Sequence, residues 1–500
     1  MNAALATRSL GTLLEGFAAD IPEVAVTGLA LDSRQIQPGA LFLAVRGSVA
    51  HGLSHADSAL QRGAIAVAWE PVDGLAAPQL SVPAVAVPEL SRHAGEIAAR
   101  WYRQPSAALY TAGITGTDGK TSTAHLIAQA LDRLGSPCAY FGTLGYGRLG
   151  RLADASHTTP DPVRLQALLA DSRDAGAEAC AMEVSSHALD QARVVGVAFD
   201  VAVLTNVGRD HLDYHGTVEH YAAAKRRLFA LDGLKAAVLN RDDAHGVRWA
   251  NELLAEGRTP VVVYGLDGEV PVAGRYLIGR SLRLHAAGLA MCIASSWGTA
   301  QLDSRLLGRF NAHNLLAALA VLLVKGVALA DAVAALAESQ TVPGRIEAFR
   351  AERGPLVVVD YAHTPQALDA VLRAVRAHTS GRLACVFGCG GDRDRGKRPL
   401  MGAAAARGAD TLIVTDDNPR SESPAVIATE IVAGLPAGAA VRVIHDRADA
   451  IRTAIAEAAE GDVVLVAGKG HEDYQLYGSE RRSFSDRAYV AAALGLAVRA

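Results

Sequence analysis

The chain has 500 residues, 50% of them apolar and 20% charged, with a formal net charge of −4. That balance fits a soluble globular protein of roughly two to four domains and supplies no basic surface for nucleic acid or an anionic membrane. Five scattered cysteines, an odd number, predict reduced thiols and a cytosolic home, and no charged start with an apolar block predicts a secretory leader.

Three regions follow one another. Residues 1–106 carry short strand signals punctuated by Pro and Gly, and end in a helical segment, RHAGEIAARWY (92–102). Residues 107–341 open on ALYTAGITGTDGKTSTAHLIAQAL, which reads as strand, glycine-rich loop and helix. Later in this region, LLAALAVLLV (315–324) stops at Lys325; it is too short to span a bilayer and predicts a buried helix. Residues 342–500 begin at Val342-Pro343-Gly344 and alternate apolar runs, LVVVD (356–360), LACVF (383–387), TLIVT (411–415), VRVI (441–444) and VVLVA (463–467), with helical segments. Such runs predict a parallel sheet covered on both faces, with ligands met beyond the strands' C-terminal ends. Those ends are polar here: DYAHTP, GCGGDRDRGKRP, DDNPRSE and GKGHEDYQ. Cys385 and Cys389 lie in one strand and its loop with no second pair, so they are read as structural.

In GITGTDGKTS (113–122), successive backbone N–H groups and the helix N-terminus suit a polyphosphate. Lys120 would neutralise phosphate charge, and the Thr121 hydroxyl would ligate Mg²⁺. The spacing is G-x-x-G-x-x-G-K-T, not the common G-x-x-x-x-G-K-T, because Ile114 stands where the first glycine is expected. Glu183 ends the apolar run ACAME and is placed to reach a metal from a second strand. The segment TNVGRDHLDYHGTVEHYAAAKRRLF (205–229) holds His211, His215, His220 and Lys225 without a zinc-like spacing; its plain reading is a solvated loop and helix face.

Taken in order, GTDGKTS, MEVSSHALDQARV, TNVGRDHLDYHG, GRFNAHNLLAA, PGRIE and VVVDYAHTP resemble the Mur ligase family over nearly the whole chain. The resemblance implies an α/β protein of three domains. These are a small N-terminal α/β domain for a UDP-linked precursor (1–106), a central P-loop ATPase-like domain (107–341) and a C-terminal Rossmann-like domain for an amino acid (342–500). It implies an ATP-dependent, ADP-forming carboxylate–amine ligase of peptidoglycan precursor synthesis, a cytoplasmic monomer without membrane or nucleic-acid partners, working through an acyl phosphate with two Mg²⁺ ions. LDSRQIQPGALFLAVRG (31–47), SHTTPDPVRL (156–165), VFGCGGDRDRGKRPLM (386–401), DDNPR (416–420) and AGKGHEDYQ (467–475) are similar to the members that add meso-2,6-diaminopimelate to UDP-MurNAc-L-Ala-D-Glu. A lysine-adding member and a folylpolyglutamate-synthetase-like ligase are the alternatives.

The resemblance assigns roles to individual residues. Leu31, Ser33, Ser48, Val49 and Ala50 meet the uridine end, and His157, Thr158, Thr159, Ser185, Gln191 and Arg193 hold the muramoyl dipeptide. Gly116, Thr117, Asp118, Gly119, Lys120, Thr121 and Ser122 cradle ATP, with Asn314, Arg345 and Asp360 at the adenine, phosphate and ribose or hinge. Thr121, Glu183, His211 and Lys225 serve the metals, Lys225 as its N6-carboxy (carbamate) form derived from CO₂; as a sequence feature alone it reads as a surface lysine. Arg393, Asp417, Asn418, Pro419, Arg420, Gly468 and Glu472 take diaminopimelate, whose far carboxylate calls for a guanidinium. Two positions depart from the family: Asp118 where Asn is usual in the phosphate loop, and His157 where Asn usually precedes the threonine pair. Asn314, read at a helix start, has capping as its competing role.

Overall fold

Short apolar runs throughout the chain become parallel strands, because helices on both faces leave them no wet side. The computed structural model describes residues 7–47, 50–155, 157–269 and 273–496. The described chain divides into two compact units, one running through Gly265 and taking in Ala317–Ala328, the other holding Leu277–Leu316 and the chain from Leu329.

The first unit begins with a four-stranded parallel sheet, Gly28–Ala30, Ala40–Ala44, Ala66–Trp69 and Ala84–Ala86. The helix Leu90–Trp101, predicted from RHAGEIAARWY, lays Leu90, Ala94, Ile97 and Ala98 on this core. Val163, from the helix Pro162–Asp174, enters the same core. Gly95 lets the helix Leu90–Trp101 approach the segment of Val195, since a Cβ there would lie 2.0 Å from the Val195 carbonyl oxygen.

The unit's larger sheet runs in the order Arg151–Ala153, Gly145–Arg148, Cys138–Gly142, Ala179–Glu183, Tyr110–Thr115, Val201–Leu204, Ala236–Asn240, Val261–Leu266. The strand of the glycine-rich loop, Tyr110–Thr115, is central, flanked in parallel by the strand ending at Glu183 and the strand leading to Thr205. Three polar strand ends therefore meet without any long-range search by loops.

In the second unit an antiparallel ribbon, Arg275–His285, Gly288–Ser295 and Gly298–Ser304, precedes the C-terminal sheet. That sheet orders Glu347–Phe349 (antiparallel), Leu356–Asp360, Val463–Ala467, Leu383–Phe387, Thr411–Val414 and Val441–Val443. The last parallel strand in sequence thus lies between the first two, bringing GKGHED beside GCGGDRDR and DDNPR. The greasy segment 315–324 lies in the helix Arg309–Lys325, with Leu315 to Leu323 buried as predicted. Among the described residues no helix is long and apolar enough to cross a membrane. Cys385 and Cys389 are free and buried; desolvation pushes both thiols up to about 12, which suits inert core packing.

One buried cation locks the C-terminal strand ends. Arg447 is fully enclosed; its Nε and Nη2 donate to the Asp486 carboxylate at 2.7 and 2.8 Å. Nη1 donates to the Asp416 carbonyl and Nη2 to that of Ala467, so one guanidinium spans the strand Leu383–Phe387 that separates them. Replacing Arg447 by Met strands the Asp486 charge in the interior, and is expected to lower the stability of this unit by about 3–5 kcal/mol. The pair Arg447→Met/Asp486→Leu is expected to recover most of that loss in a urea titration; an undisturbed single variant would contradict this role.

Candidate active site

The glycine-rich loop is built so that its amides and lysines face one place. Gly116 takes φ +150°, and a Cβ there would lie 1.8 Å from Thr205 Oγ1. Thr205 and Asn206, at the end of the neighbouring strand, hold the loop: Thr205 Oγ1 and Asn206 Nδ2 donate to the Asp118 carbonyl, and Asn206 accepts from the Asp118 and Thr117 amides. The Asp118 side chain is exposed, so this departure from the family puts a carboxylate outside the loop's amide cradle. Its charge reaches Lys120 and Lys225 and favours their protonated forms.

Two lysine side chains converge on one carbonyl. Lys120 Nζ donates to Gly116 O at 2.9 Å and to Thr117 O at 2.8 Å. Lys225 Nζ, 1% exposed, donates to the same Gly116 O at 2.7 Å and lies 4.3 Å from the centre of the Tyr221 ring. Lys225 is therefore no surface lysine. Burial first, and the Lys120 charge second, pull its pKa down to about 6. Burial also lowers that of Lys120, against the opposing charge of Glu183.

Glu183 lies in the same place. Its carboxylate accepts from Thr121 Oγ1 at 2.8 Å, from the Thr143 amide at 2.9 Å, and from the Tyr140 hydroxyl. A hydroxyl beside a carboxylate is the hard-oxygen pair that suits Mg²⁺. Among the described residues no group of three or more His, Cys, Asp or Glu is placed to hold a metal. His211 sits at φ +52° against the His187 ring, 4.8 Å between centroids. His187, His215, Tyr214 and Tyr221 complete a nest of tilted rings, and burial, with the neighbouring imidazoles, lowers the pKa of His187.

The dipeptide candidates are brought together along one edge of this nest. Arg193 donates to Gln191 Oε1 and to the Thr159 carbonyl, while Gln191 reaches the Tyr214 hydroxyl. Thr159 differs from expectation: its buried hydroxyl donates to the Glu183 carbonyl and accepts from the Ser185 amide, so its side chain braces the site. Ser185 likewise caps the helix Ser186–Asp190. The His157 backbone is gripped at both its N–H and its carbonyl by the Tyr146 hydroxyl, and Thr158 Oγ1 is 3.3 Å from Thr143 Oγ1. On the N-terminal sheet, Ser33 is buried, Leu31 is half-buried and Ala50 is exposed; Ser48 and Val49 lie outside the described residues.

The second unit gathers the remaining candidates. Gly390 marks where two arginines meet: a Cβ there would lie 2.9 Å from Arg420 Nη1 and 3.8 Å from Arg393 Cγ. Arg420, at φ +54°, donates only Nη1, to the Gly391 carbonyl, and Arg393 is exposed; neither makes an ion pair among the described residues. Asp417 is 9% exposed; its carboxylate lies 2.7 Å from where a Cβ on Gly468 would be and accepts no hydrogen bond among the described residues, while its backbone carbonyl accepts from Gln475 Nε2. Glu472 accepts from Asn418 Nδ2 at 3.1 Å and from Lys469 Nζ at 3.0 Å, both through Oε2. Pro419 lies under the arginine loop, its carbonyl against Gly391.

Asn314, Asp360 and Arg345 depart from or refine the sequence expectation. Asn314 is not at a helix start: the helix begins at Arg309, so the buried Asn314 sits in the second turn and its amide donates to Asn311. Capping is excluded. Asp360 gives its two oxygens to the Ile346 and Ala362 amides, which makes it a brace between the strand end and the segment of Arg345. Arg345 lies 5.0 Å over the Tyr361 ring, beside His471. His187 and Lys469 lie within the motifs MEVSSHALDQARV and AGKGHEDYQ but are given no role from the sequence, and Tyr140 lies outside every motif. Tyr140 hides in an apolar strand, CAYFG, and only the strand order sets its hydroxyl against Glu183.

Comparison with known proteins gives consecutive matches: residues 25–102 to the Mur ligase family catalytic domain, 114–322 to the Mur ligase middle domain, and 344–470 to the Mur ligase glutamate ligase domain. A protein of Alkalilimnicola ehrlichii named UDP-N-acetylmuramoyl-L-alanyl-D-glutamate–2,6-diaminopimelate ligase is 52% identical over 484 residues, 95% of this chain and 96% of its own. One of the same name from Pseudomonas aeruginosa is 49% identical over 464 residues, 93% of this chain and 94% of its own. A solved structure bearing that name superposes with a TM-score of 0.80 at 37% identity, over 98% of this chain and 99% of the other.

A methyl group at Gly116 must displace Thr205 and with it the loop. Gly116→Ala is expected to weaken ATP binding on the order of tenfold or more by calorimetric titration while leaving the fold intact. Unchanged affinity would show that the loop does not form the nucleotide cradle.

Proposed function

The chain belongs to the Mur ligase family, and on that premise we propose that it is the ATP-dependent, ADP-forming ligase that joins meso-2,6-diaminopimelate to UDP-MurNAc-L-Ala-D-Glu. The relatives' names support the reaction. The observation that carries the choice of amino acid is the meeting of Arg393 and Arg420 at Gly390, neither in an ion pair among the described residues, together with an Asp417 carboxylate that accepts no hydrogen bond there and a Glu472 engaged through Oε2 alone. Two free cations and one to two free anions suit an amino acid that carries a second carboxylate and a second ammonium. A lysine leaves a guanidinium unpaired, which disfavours it by on the order of 1–3 kcal/mol.

Joining a carboxylate to an amine in water is uphill, and the γ-carboxylate of D-Glu is a poor acyl donor. Attack of that carboxylate on the γ-phosphorus of ATP forms an acyl phosphate and releases ADP. The neutral amine of diaminopimelate then attacks the carbonyl carbon, the C–O bond to phosphate breaks, and the amine proton is lost. The first step brings two anions together, so positioning and positive charge supply most of the catalysis. Lys120 supplies one such charge beside the loop amides. Thr121 and Glu183 would hold one Mg²⁺, with His211 and Lys225 toward a second; Mg²⁺ neutralises phosphate charge in such sites.

Lys225 fits a metal only after its charge is inverted. The free amine is the form that attacks CO₂, and a pKa near 6 leaves it free at neutral pH. The carbamate so formed is an anion. Three functional modules, 1–106, 107–341 and 342–500, are part of the same reading.

Phosphate release by the purified protein with ATP and the dipeptide precursor is expected to require diaminopimelate; comparable turnover with lysine would overturn the assignment. Arg420→Lys is expected to raise the diaminopimelate KM on the order of tenfold, because an ammonium cannot make the paired contact. Under ¹³C-bicarbonate, a carbamate resonance lost in Lys225→Arg is expected at pH 8 and should fade as the pH falls below about 6, where the amine is protonated. An identical spectrum in the variant would exclude the modification.

A further inference from the structure

The two loops that present Arg393 and Arg420 are joined through a residue that neither touches. Arg398, in the first turn of the helix Lys397–Gly408, is fully buried. Its Nη1 and Nη2 donate in parallel to the two oxygens of Glu422, at 3.0 and 2.8 Å. Nη1 also donates to Glu430 at 2.6 Å, and Nη2 to the Gly390 carbonyl at 3.2 Å. Glu422 is two residues from Arg420; Gly390 is three from Arg393. Further bonds close the seam: the Asp392 amide to Glu422, Ser421 to the Asp392 carboxylate, and the Gly391 amide to the Asn418 carbonyl.

Glu422 is the acid nearest in sequence to Arg420. Left alone, it would compete for that guanidinium with a ligand's carboxylate. Here both its oxygens point to Arg398, whose paired bonds first, and the Asp392 amide second, hold the Glu422 pKa at about 2. The carboxylate is thus ionised and occupied, and Arg420 Nε and Nη2 have no hydrogen-bond partner among the described residues.

We propose that Arg398 is a positioning residue for amino-acid selection: it sequesters Glu422 from Arg420 and clamps the two arginine loops in the spacing that a distal carboxylate requires. The proposal rests on the reading that Arg420 and Arg393 receive diaminopimelate, which the unmodified protein tests by its need for that amino acid over lysine.

The discriminating experiment is steady-state kinetics on Arg398→Met, Glu422→Gln and their combination. Arg398→Met is expected to raise the diaminopimelate KM at least tenfold, with KM for ATP and the dipeptide within twofold and the preference over lysine reduced. Adding Glu422→Gln removes the competing charge and is expected to return the diaminopimelate KM at least threefold toward the parent value. A double variant as poor as or worse than Arg398→Met, or a uniform fall in kcat with all KM values unchanged, would overturn the proposal. Should Arg398→Met fail to fold, Arg398→Lys carries the test, since it keeps the charge but not the paired bonds. A rise of at least threefold in that KM alone supports the proposal, and a change in kcat alone refutes it.

Discussion

Two lysines donating to the single carbonyl of Gly116 set the physical character of the central site. Positive charge in a poorly solvated place is costly; burial and the Lys120 charge lower the pKa of Lys225, and the charges of Asp118 and Asp210 offset that only in part. Everything nearby serves that arrangement. The strand order places Glu183 and Thr205 on either side of the loop, and a glycine at φ +150° lets the loop close onto Thr205. The site thereby sets the Lys120 charge and the loop amides where phosphate would lie, with the Lys225 amine held neutral beside them.

The C-terminal unit uses cations differently. Arg447, Arg398 and Lys469 are buried and paired with acids, and they fix strand ends and loops. Arg393 and Arg420 make no ion pair among the described residues, which leaves them available to the proposed ligand. Both groups are the same chemical types within one stretch of sequence. They are separated by whether a carboxylate is within reach, from another segment for Arg447 and Arg398 and from its own loop for Lys469.

Much of this is legible in the sequence, because strand–loop–helix units place their chemistry at strand ends. The phosphate loop, Glu183 and the arginine loops all announce themselves as polar residues directly after apolar runs, and the buried helix 315–324 as an uninterrupted apolar run. Residues whose role depends on packing across strands do not. Tyr140 looks like any core aromatic until its strand is set beside Glu183. Arg398 looks like one more charge in DRDRGKRP until Glu422 and Glu430 close over it. Asn314 reads as a cap only if the helix starts late, and the helix instead begins at Arg309, directly after a glycine. Thr159 reads as a ligand contact and Asp360 as a ribose or hinge contact; the backbone groups that occupy their side chains, a brace at the strand end in the case of Asp360, are set by packing that the sequence does not display.

Activation of a carboxylate as an acyl phosphate at the Gly116 site is the step on which the proposed reaction stands. The most direct measurement labels the γ-carboxylate of the D-Glu residue with ¹⁸O and follows the label by mass spectrometry during turnover with ATP and diaminopimelate. One labelled oxygen is expected in the released phosphate for every peptide bond formed. Unlabelled phosphate accompanying amide formation would contradict the acyl-phosphate route.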